Sequence, residues 1–435
     1  MKPVSLAFVA PGAAAEYGLR GPLNPTSDAL SIALYPLSGI TGTMIGSLIW
    51  GWMGDRIGRR ASILLAAIIF IATSTCATMP EYWMNLVTCF VMGLGAGGML
   101  PIAFALLCET MPRKHRGWML VLVGSDIAGA YIIVSWLAST WASPDKFGWR
   151  FLWLISLPTG LLLLVLNRWI PESPRFLLHQ GRESEARGVM ARYGAVVESG
   201  PVDQMREVVP AGASEFLAAP LLGLSAAIVL LGLSIGMTQY GFQQWMPSNL
   251  QRLGLSAVNA SSTLRDAAII GFPFSLPVGL MYGLWSSKKT VLLLVALMGA
   301  SLAVFAMFGD QVASNRVLLH ILLVVPVWGI NVFNAVLAAY TAEVYPTAIR
   351  ARGSGISAGA TKAGGVVVLA LAAAAVAAPS IRATAALSVV PMMLAVVVLM
   401  KFGPETKNTR LEWTTESAIG VRGPVPSSAV SPAST

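Results

Sequence analysis

Charge is what this sequence lacks most. Only 11% of its 435 residues are Asp, Glu, Lys or Arg, whereas 55% are hydrophobic and the mean hydropathy is +0.70. Soluble domains carry about a quarter of charged residues. A chain with so few charges could not cover its own surface in water. The composition therefore excludes an ordinary soluble protein and indicates that lipid is the solvent.

Histidine and cysteine are also scarce, with three of each. The histidines form no catalytic or ligand spacing, and the odd number of cysteines argues against a disulfide framework. All three cysteines fall in or beside apolar stretches, where a thiol acts as a small hydrophobe: Cys76, Cys89 and Cys108. We therefore expect no enzymatic chemistry, no metal and no cofactor.

The net charge is +9, but the sequence has no basic stripe interleaved with aromatic residues. We therefore expect no nucleic-acid partner. The positive residues lie instead in short connections between apolar stretches. Twenty Lys and Arg fall at the ends or connections on the side of residues 53–60, against seven on the other side. By the positive-inside rule, that side is cytoplasmic, and both termini and residues 171–219 lie there.

A helix needs about 20 apolar residues to cross the hydrocarbon core, and twelve candidate stretches are present. They are 3–19, 31–52, 62–79, 83–107, 117–141, 150–170, 220–246, 264–285, 290–308, 316–341, 353–378 and 383–402. The first begins almost at Met1, and we interpret it as a transmembrane helix that lacks part of its beginning. The alternative is a secretory signal peptide.

These stretches predict an all-α membrane protein in four parts. Residues 1–170 form an N-terminal six-helix bundle, and residues 171–219 form a polar, partly helical cytoplasmic linker. Residues 220–402 form a C-terminal six-helix bundle. Residues 403–435 are a cytoplasmic tail, and its end, rich in Ser, Pro and Ala, is predicted to be disordered.

The two six-helix units share a repeated sequence pattern. Glu109-x-x-Pro-x-x-x-Arg116 recurs as Glu343-x-x-Pro-x-x-x-Arg350, at a shift of 234 residues. "PESPR" at 171–175 recurs as "PETK" at 404–407, and the loop "GDRIGRR" at 54–60 has a worn copy, "GLWSSKK", at 283–289. Parallel repeats of this kind occur in transporters.

These motifs also resemble those of a known family. The segments "GWMGDRIGRR" (51–60), "ETMPRKHRG" (109–117), "PESPRFLL" (171–178), "EVYPTAIRARGSG" (343–355) and "PETKNTRLE" (404–412) resemble the major facilitator superfamily. Within it the chain looks most like the metabolite and aromatic-acid:proton symporters and the sugar porters. The resemblance implies a twelve-helix fold of two six-helix bundles related by pseudo-twofold symmetry, with alternating access to a central site.

Two departures from these subfamilies matter. The acidic cluster that is usual early in helix one of the symporters has no counterpart. The Gln-Gln-x-Ser-Gly-x-Asn pattern of sugar porters is also absent, because Gln243-Gln244 runs into Trp245-Met246-Pro247. The first departure weakens the assignment to proton symport, and the second weakens the assignment to sugars.

A cytoplasmic gate is the first functional site that the resemblance implies. Glycines allow tight turns and close helix approach, and an aspartate can receive the positive end of a neighbouring helix. The alternative is a topology signal with incidental salt bridges. The predicted gate residues are Gly51, Asp55, Arg56, Gly58, Arg59, Arg60, Glu109, Arg116, Glu343 and Arg350.

Charges within apolar stretches predict a substrate or proton site, because each costs about 2.5–3.5 kcal/mol at a helix centre. Asp126 lies nine residues after Gly117 and Lys362 nine after Gly353, which places both ~13 Å deep in a ~30 Å core. We expect Lys362 to supply positive potential for a carboxylate and Asp126 to bind a proton. A structural ion pair and a hydrogen-bonded buried Asp are the alternatives.

Further candidates lie in the seventh and tenth stretches, which by family analogy line the central cavity. Amides and aromatic rings at spacings of three and four share a helix face, and hydrogen bonds between helices are the alternative role. The candidates are Gln239, Tyr240, Gln243, Gln244, Trp245, Trp328, Asn331 and Asn334.

Together these features predict a monomeric secondary active transporter in the cytoplasmic membrane. We expect proton-coupled uptake of a small organic acid or related metabolite. The alternatives are a sugar or polyol:proton symporter, an efflux pump and a membrane sensor that does not transport.

Overall fold

The computed structural model describes residues 33–73, 79–125, 148–192, 219–244, 269–375 and 380–407, with scattered positions at 9–31, 129–141 and 246–267. We refer to the described residues up to 192 as the N-terminal half and to those from 219 on as the C-terminal half. The regular structure of these ranges is helical.

The N-terminal half contains α1 (Leu34–Ile57), α2 (Arg59–Ala72), α3 (Tyr82–Thr110), α4 (Arg113–Gly124), α5 (Phe151–Leu154), α6 (Ser156–Leu166) and the short α7 (Pro174–His179) and α8 (Glu183–Arg192). The C-terminal half contains α9 (Ala219–Met237), α10 (Ser275–Leu280), α11 (Ser287–Ser314), α12 (Arg316–Val344), α13 (Arg350–Ala375) and α14 (Ile381–Phe402). Helices α9 and α10 continue as π-helical turns, Thr238–Gln243 and Met281–Trp285.

Six segments of the described chain are long and apolar enough to cross a membrane, by length and composition. They are Tyr82–Thr110, Leu221–Gln243, Ser287–Gly309, Val317–Val344, Thr347–Ala374 and Ile381–Phe402. Each overlaps one of the predicted stretches. The interval 171–219 is partly helical, because α7 and α8 lie within it.

The connection predicted at residues 53–60 is much shorter than expected. Helix α1 continues to Ile57 and α2 begins at Arg59, so that only Gly58 stands between them, with a φ of 102°. Glycine adopts this backbone conformation at little cost, and a turn of one residue becomes possible. Asp55 and Arg59 therefore lie on helices, which hold their side chains in fixed directions.

Helix α13 packs between α1 of the N-terminal half and α9 of the C-terminal half, and small residues bring the backbones close. A Cβ added to Gly355 would lie 2.4 Å from the carbonyl oxygen of Ser47 in α1. A Cβ added to Gly364 would lie 2.2 Å from the carbonyl oxygen of Leu233 in α9. Such close packing is typical of small residues in membrane helices, and it fixes which side chains of α13 face each half.

Candidate gate and candidate substrate site

Two buried ion pairs join the halves at one end of the bundle. The Glu109 carboxylate accepts a hydrogen bond from Arg350 Nη1 at 2.8 Å, and the Glu343 carboxylate accepts one from Arg116 Nε at 3.0 Å. Each of these four residues is at most 7% exposed. Each copy of the Glu-x-x-Pro-x-x-x-Arg motif supplies one acid and one base. The acid of each copy pairs with the arginine of the other copy. We call these four residues, with Asp55 and Arg59, the inter-half cluster.

Glu109 is shared between two guanidinium groups. Arg59 Nη2 lies 3.0 Å from the same Glu109 oxygen that Arg350 contacts. Arg59 Nη2 also donates to the carbonyl oxygen of Thr347 at 2.8 Å and lies 3.3 Å from Asp55. The N-terminal half therefore reaches the start of α13 through both an ion pair and a main-chain hydrogen bond.

Glu343 has a different environment. Its second oxygen accepts hydrogen bonds from the hydroxyl groups of Tyr282, at 2.8 Å, and Thr406, at 2.6 Å. Among the described residues, Arg116 is the one cation that forms an ion pair with it. The cluster is therefore asymmetric: one carboxylate is held by two arginines, and the other by one arginine and two hydroxyls.

Asp55 receives the N-terminal end of α13. Its carboxylate accepts hydrogen bonds from the backbone N–H groups of Ala351, at 3.1 Å, and Arg352, at 2.9 Å. Arg352 Nε adds a contact at 3.3 Å. The first N–H groups of a helix have no partner within the helix, and the helix dipole favours an anion there. Asp55 supplies that anion from the opposite half.

One acidic residue in each half caps the start of a helix in the same half, and neither residue was among the predicted candidates. Glu172 accepts from the backbone N–H groups of Arg59, at 2.9 Å, and Arg60, at 3.2 Å. Glu405 accepts in the same way from the N–H group of Ser287, at 2.9 Å. Both belong to the repeated "PES/PET" motif, so their recurrence at one spacing was the signal that could have identified them.

Hydrogen bonding sets the ionisation of Glu405. Burial alone would raise the pKa of this carboxyl group, but hydrogen bonds from the Ser286 and Ser287 hydroxyls and from the backbone N–H groups of Ser287 and Lys407 outweigh it. Its pKa therefore lies below the usual value for a glutamate. The charged form is the one that caps α11.

Two predicted gate arginines do not join the inter-half cluster. The exposed Arg56 guanidinium lies 5.0 Å from the ring centroid of Trp52. Arg60 contributes its backbone N–H to Glu172. Within the described part of the chain, neither side chain forms an ion pair with a carboxylate. Gly51 permits close approach of the halves instead, since a Cβ there would lie 2.8 Å from the carbonyl oxygen of Ala351.

Lys362 lies in the middle of α13, as the thirteenth of its 26 residues. It is partly buried, and its Nζ is 6.0 Å from the ring centroid of Tyr240 in the π-helical turn after α9. Within the described ranges, no carboxylate forms a salt bridge with it. Asp126, its equivalent in the repeat, lies outside the described residues.

An amide in the π-helical turn after α9 meets an amide of α12. Asn334 Nδ2 lies 3.5 Å from Gln239 Oε1 and also donates to the carbonyl oxygen of Ile330 at 3.1 Å. Asn331 donates to the carbonyl oxygen of its own helix at Val327. The contact between Gln239 and Asn334 thus joins the π-helical turn after α9 to α12.

The remaining candidates are placed differently. Trp328 is buried, and its Nε1 donates to Ser275 Oγ at 3.3 Å, a contact that joins α12 to α10. Gln243 and Gln244 are partly buried at the end of the π-helical turn. Trp245 lies outside the described residues.

The overall structure is similar to that of known transporters. The proton:xylose symporter XylE of the major facilitator superfamily, in a structure with bound 6-bromo-6-deoxy-D-glucose, superposes with a TM-score of 0.74 at 19% identity, covering 95% of this chain and 96% of XylE. This similarity shows the fold. The protein is an all-α, multi-pass membrane protein with the twelve-helix major facilitator architecture, and the fold class predicted from the sequence is confirmed.

Sequence comparison shows the family. A family model described as "Sugar (and other) transporter" matches residues 16–417, and the chain belongs to this family of transporters. The inner membrane metabolite transport protein YgcS of Escherichia coli is 29% identical over 382 residues, 85% of this chain and 82% of YgcS. The niacin transporter NiaP of Acinetobacter baylyi is 27% identical, covering 75% and 74%. The 4-hydroxybenzoate transporter PcaK of the same organism is 26% identical, covering 80% and 76%.

The predicted family and activity are therefore confirmed at the level of class. The protein is a secondary transporter of a small molecule, and its family consists of transporters rather than enzymes.

Proposed function

We propose that this transporter takes up a small organic acid, whose carboxylate binds at Lys362, and that uptake is coupled to proton entry. The observation that carries this proposal is the position of Lys362 at the centre of α13, beside Tyr240 and without a salt bridge to a described carboxylate. An anionic substrate would supply the charge partner that no described carboxylate provides.

The energetics favour an anion. A lysine at the centre of a membrane helix costs about 2.5–3.5 kcal/mol. Lys362 is twelve residues from Arg350, where α13 begins, and this distance is ~18 Å along the helix. Snorkelling reaches water only near helix ends, so Lys362 cannot use it. A cation over an aromatic face recovers about 2 kcal/mol when it is desolvated, and Tyr240, at 6.0 Å, lies at the limit of the distance over which this interaction acts.

The names of two relatives support the same substrate class. NiaP is a niacin transporter and PcaK a 4-hydroxybenzoate transporter, and both compounds are aromatic carboxylates. The amides of Gln239 and Asn334 would bind the hydroxyl or ring nitrogen of such a substrate, since amides both donate and accept. Asp126 is our candidate for the proton-binding acid.

The inter-half cluster acts as the cytoplasmic gate in this proposal, and its contacts between the halves correspond to the closed state. Opening requires the Glu109–Arg350 and Arg116–Glu343 pairs to separate together with the contact of Asp55 to α13, because all of them cross the halves. Residues 1–170 and 220–402 then move as two bodies joined by the linker 171–219. The working unit is a monomer in the cytoplasmic membrane, with both termini inside.

An uptake assay in proteoliposomes tests the substrate class. Nicotinate, 4-hydroxybenzoate and benzoate are compared with xylose and glucose, each with and without an inward proton gradient. We expect gradient-stimulated uptake of the carboxylates. Uptake of sugars alone would instead establish the sugar symporter, and accumulation only in the opposite direction would establish an efflux pump.

Variants of Lys362 test the site. Lys362→Ala and Lys362→Gln should reduce carboxylate uptake by more than tenfold, whereas Lys362→Arg should keep part of it. Lys114→Gln is the matched control, since it also removes one lysine but at the exposed start of α4. Unchanged uptake by a normally folded Lys362→Ala protein would refute the proposed role.

A further inference from the structure

The second copy of the repeated loop, residues 283–289, contributes no basic side chain to the inter-half cluster, as defined above. In the N-terminal half, Arg59 of this loop is buried against Glu109. Its counterpart in the C-terminal half is Lys288, whose Nζ donates instead to the carbonyl oxygen of Met400 at 2.9 Å. The basic residues of the second copy are therefore directed to the outer surface, at the end of α14.

These residues form a compact basic–aromatic patch, which we define as Trp285, Lys288, Lys289, Lys401 and Phe402. Lys289 Nζ lies 5.8 Å from the Trp285 ring centroid, and Lys401 Nζ lies 5.3 Å from that of Phe402. Trp285 is 50% exposed and Phe402 45%. The Lys288–Met400 hydrogen bond connects the start of α11 to the end of α14, so the three ammonium groups share one corner of the bundle.

The positive charge of the patch is not balanced within the described part of the chain. None of its three lysines forms a salt bridge with a described carboxylate. Glu405, which follows α14, accepts hydrogen bonds from Ser286 and Ser287. Three ammonium groups are thus available to an external anion.

The surface beside the patch is apolar. Leu284, Leu293 and Val397 are 60%, 48% and 60% exposed on the same helices or on the π-helical turn that precedes α11. Exposed aliphatic side chains on membrane helices face acyl chains, aromatic rings such as Trp285 prefer the interface, and basic residues beyond them attract anionic lipid headgroups. This order of apolar, aromatic and basic groups matches the chain, glycerol and phosphate of a phospholipid.

We propose that the basic–aromatic patch binds the headgroup of an anionic phospholipid. The N-terminal half provides the comparison. Arg168 lies 3.8 Å from the Trp169 ring centroid, and these residues precede Lys401 and Phe402 by the repeat shift of 233. The N-terminal half also has the pair of Arg56 and Trp52, but Arg59, its counterpart of Lys288, is buried in the cluster. The C-terminal half holds the stronger site because the Lys288–Met400 hydrogen bond holds both loop lysines beside Lys401, whereas Arg59, the N-terminal counterpart of Lys288, is buried.

The test uses the purified full-length chain in neutral detergent, titrated with dioleoylphosphatidylglycerol, with the rise in melting temperature as the readout. A basic residue near an anionic surface contributes about fivefold in affinity. Lys289→Gln/Lys401→Gln should therefore bind the lipid about 25-fold more weakly. The charge-matched control Arg56→Gln/Arg168→Gln should weaken binding by no more than about fivefold. Lys289→Arg/Lys401→Arg should retain wild-type affinity, which controls for folding.

Three results would overturn the proposal. The first is equal loss of affinity in the two charge-matched variants, which would indicate only general surface charge. The second is unchanged affinity in Lys289→Gln/Lys401→Gln. The third is an equal effect of inorganic phosphate, which would show that a free anion is bound rather than a lipid, or of dioleoylphosphatidylcholine, which would show that the net negative charge of the lipid is not recognised.

Discussion

Glu109→Gln should open the inter-half cluster far more than Glu343→Gln. Glu109 is the carboxylate that Arg59 and Arg350 share, and all three side chains are almost completely buried. Glu343 has one arginine partner, and its other oxygen is held by the hydroxyls of Tyr282 and Thr406. A glutamine at 343 keeps acceptors for those hydroxyls, whereas a glutamine at 109 leaves two buried guanidiniums without their shared charge.

The expected difference can be estimated from these contacts. Removal of one partner from a buried ion pair costs about 3–5 kcal/mol, and the cost falls on the closed state because the arginines become hydrated when the halves separate. A loss of 3 kcal/mol changes the ratio of closed to open molecules by about 150-fold. Glu343→Gln leaves one guanidinium without its carboxylate instead of two, and two of its three hydrogen bonds remain, so we expect about 3 kcal/mol, against about 5 kcal/mol for Glu109→Gln.

Cys108 provides a native probe of opening. Its thiol is buried at the contact between the halves, with Sγ 3.2 Å from the carbonyl oxygen of Ala342. In a Cys76→Ser/Cys89→Ser background, a maleimide should label Cys108 at a rate proportional to the open fraction. We expect the fastest labelling in Glu109→Gln, intermediate labelling in Glu343→Gln and slow labelling in the parent.

Exchange of acid and base provides the control. Arg116→Glu/Glu343→Arg should restore slow labelling, because the Tyr282 and Thr406 hydroxyls that contact position 343 are neutral and can accept hydrogen bonds from a guanidinium. Glu109→Arg/Arg350→Glu should not, because Arg59 would then face a new arginine at position 109. Equal labelling rates in the two single variants, or equal rescue by the two exchanges, would refute this account of the asymmetry.

Three further predictions concern the turn, the helix cap and the topology. Gly58→Ala should lower the free energy of unfolding by about 1–3 kcal/mol, because φ is 102° and the new Cβ would lie 2.4 Å from a Glu172 oxygen. The control Gly188→Ala, in α8 with open space around it, should not lower the stability. Equal melting temperatures for the two variants would contradict this prediction. The lowered pKa of Glu405 means that its contribution is present above the usual glutamate pKa and is lost as the pH falls through the folded-state value. Thermal stability should therefore decline below about pH 4.5 less steeply in Glu405→Gln than in the wild type; parallel pH profiles would rule this out. Reporter fusions after residues 57 and 192 should report the same, cytoplasmic face, and reports from opposite faces would disprove the predicted orientation.

The spans and the family could be predicted from sequence because their physical cause is local. Crossing the hydrocarbon core requires an uninterrupted apolar run, and each such run is visible without knowledge of its neighbours. The repeated Glu-x-x-Pro-x-x-x-Arg motif likewise identified Glu109, Arg116, Glu343 and Arg350, since acid and base recur at one spacing.

The partners of those residues could not be predicted, because they are set by packing between distant segments. Glu109 and Arg116 stand in one motif, yet each pairs with the other half. Of the three loop arginines, only Arg59 points inward, because the one-residue turn at Gly58 fixes the direction in which α2 begins.

Hydropathy, spacing and charge are properties of the residues, so they were sufficient to predict that the chain lies in a membrane, is repeated and carries a lysine at the centre of a span. The tertiary structure alone decided that Lys362 lies beside Tyr240, that Glu172 and Glu405 cap helices, and that the second loop faces outward. These contacts depend on the rotation and close approach of helices far apart in the chain, and no local pattern records them.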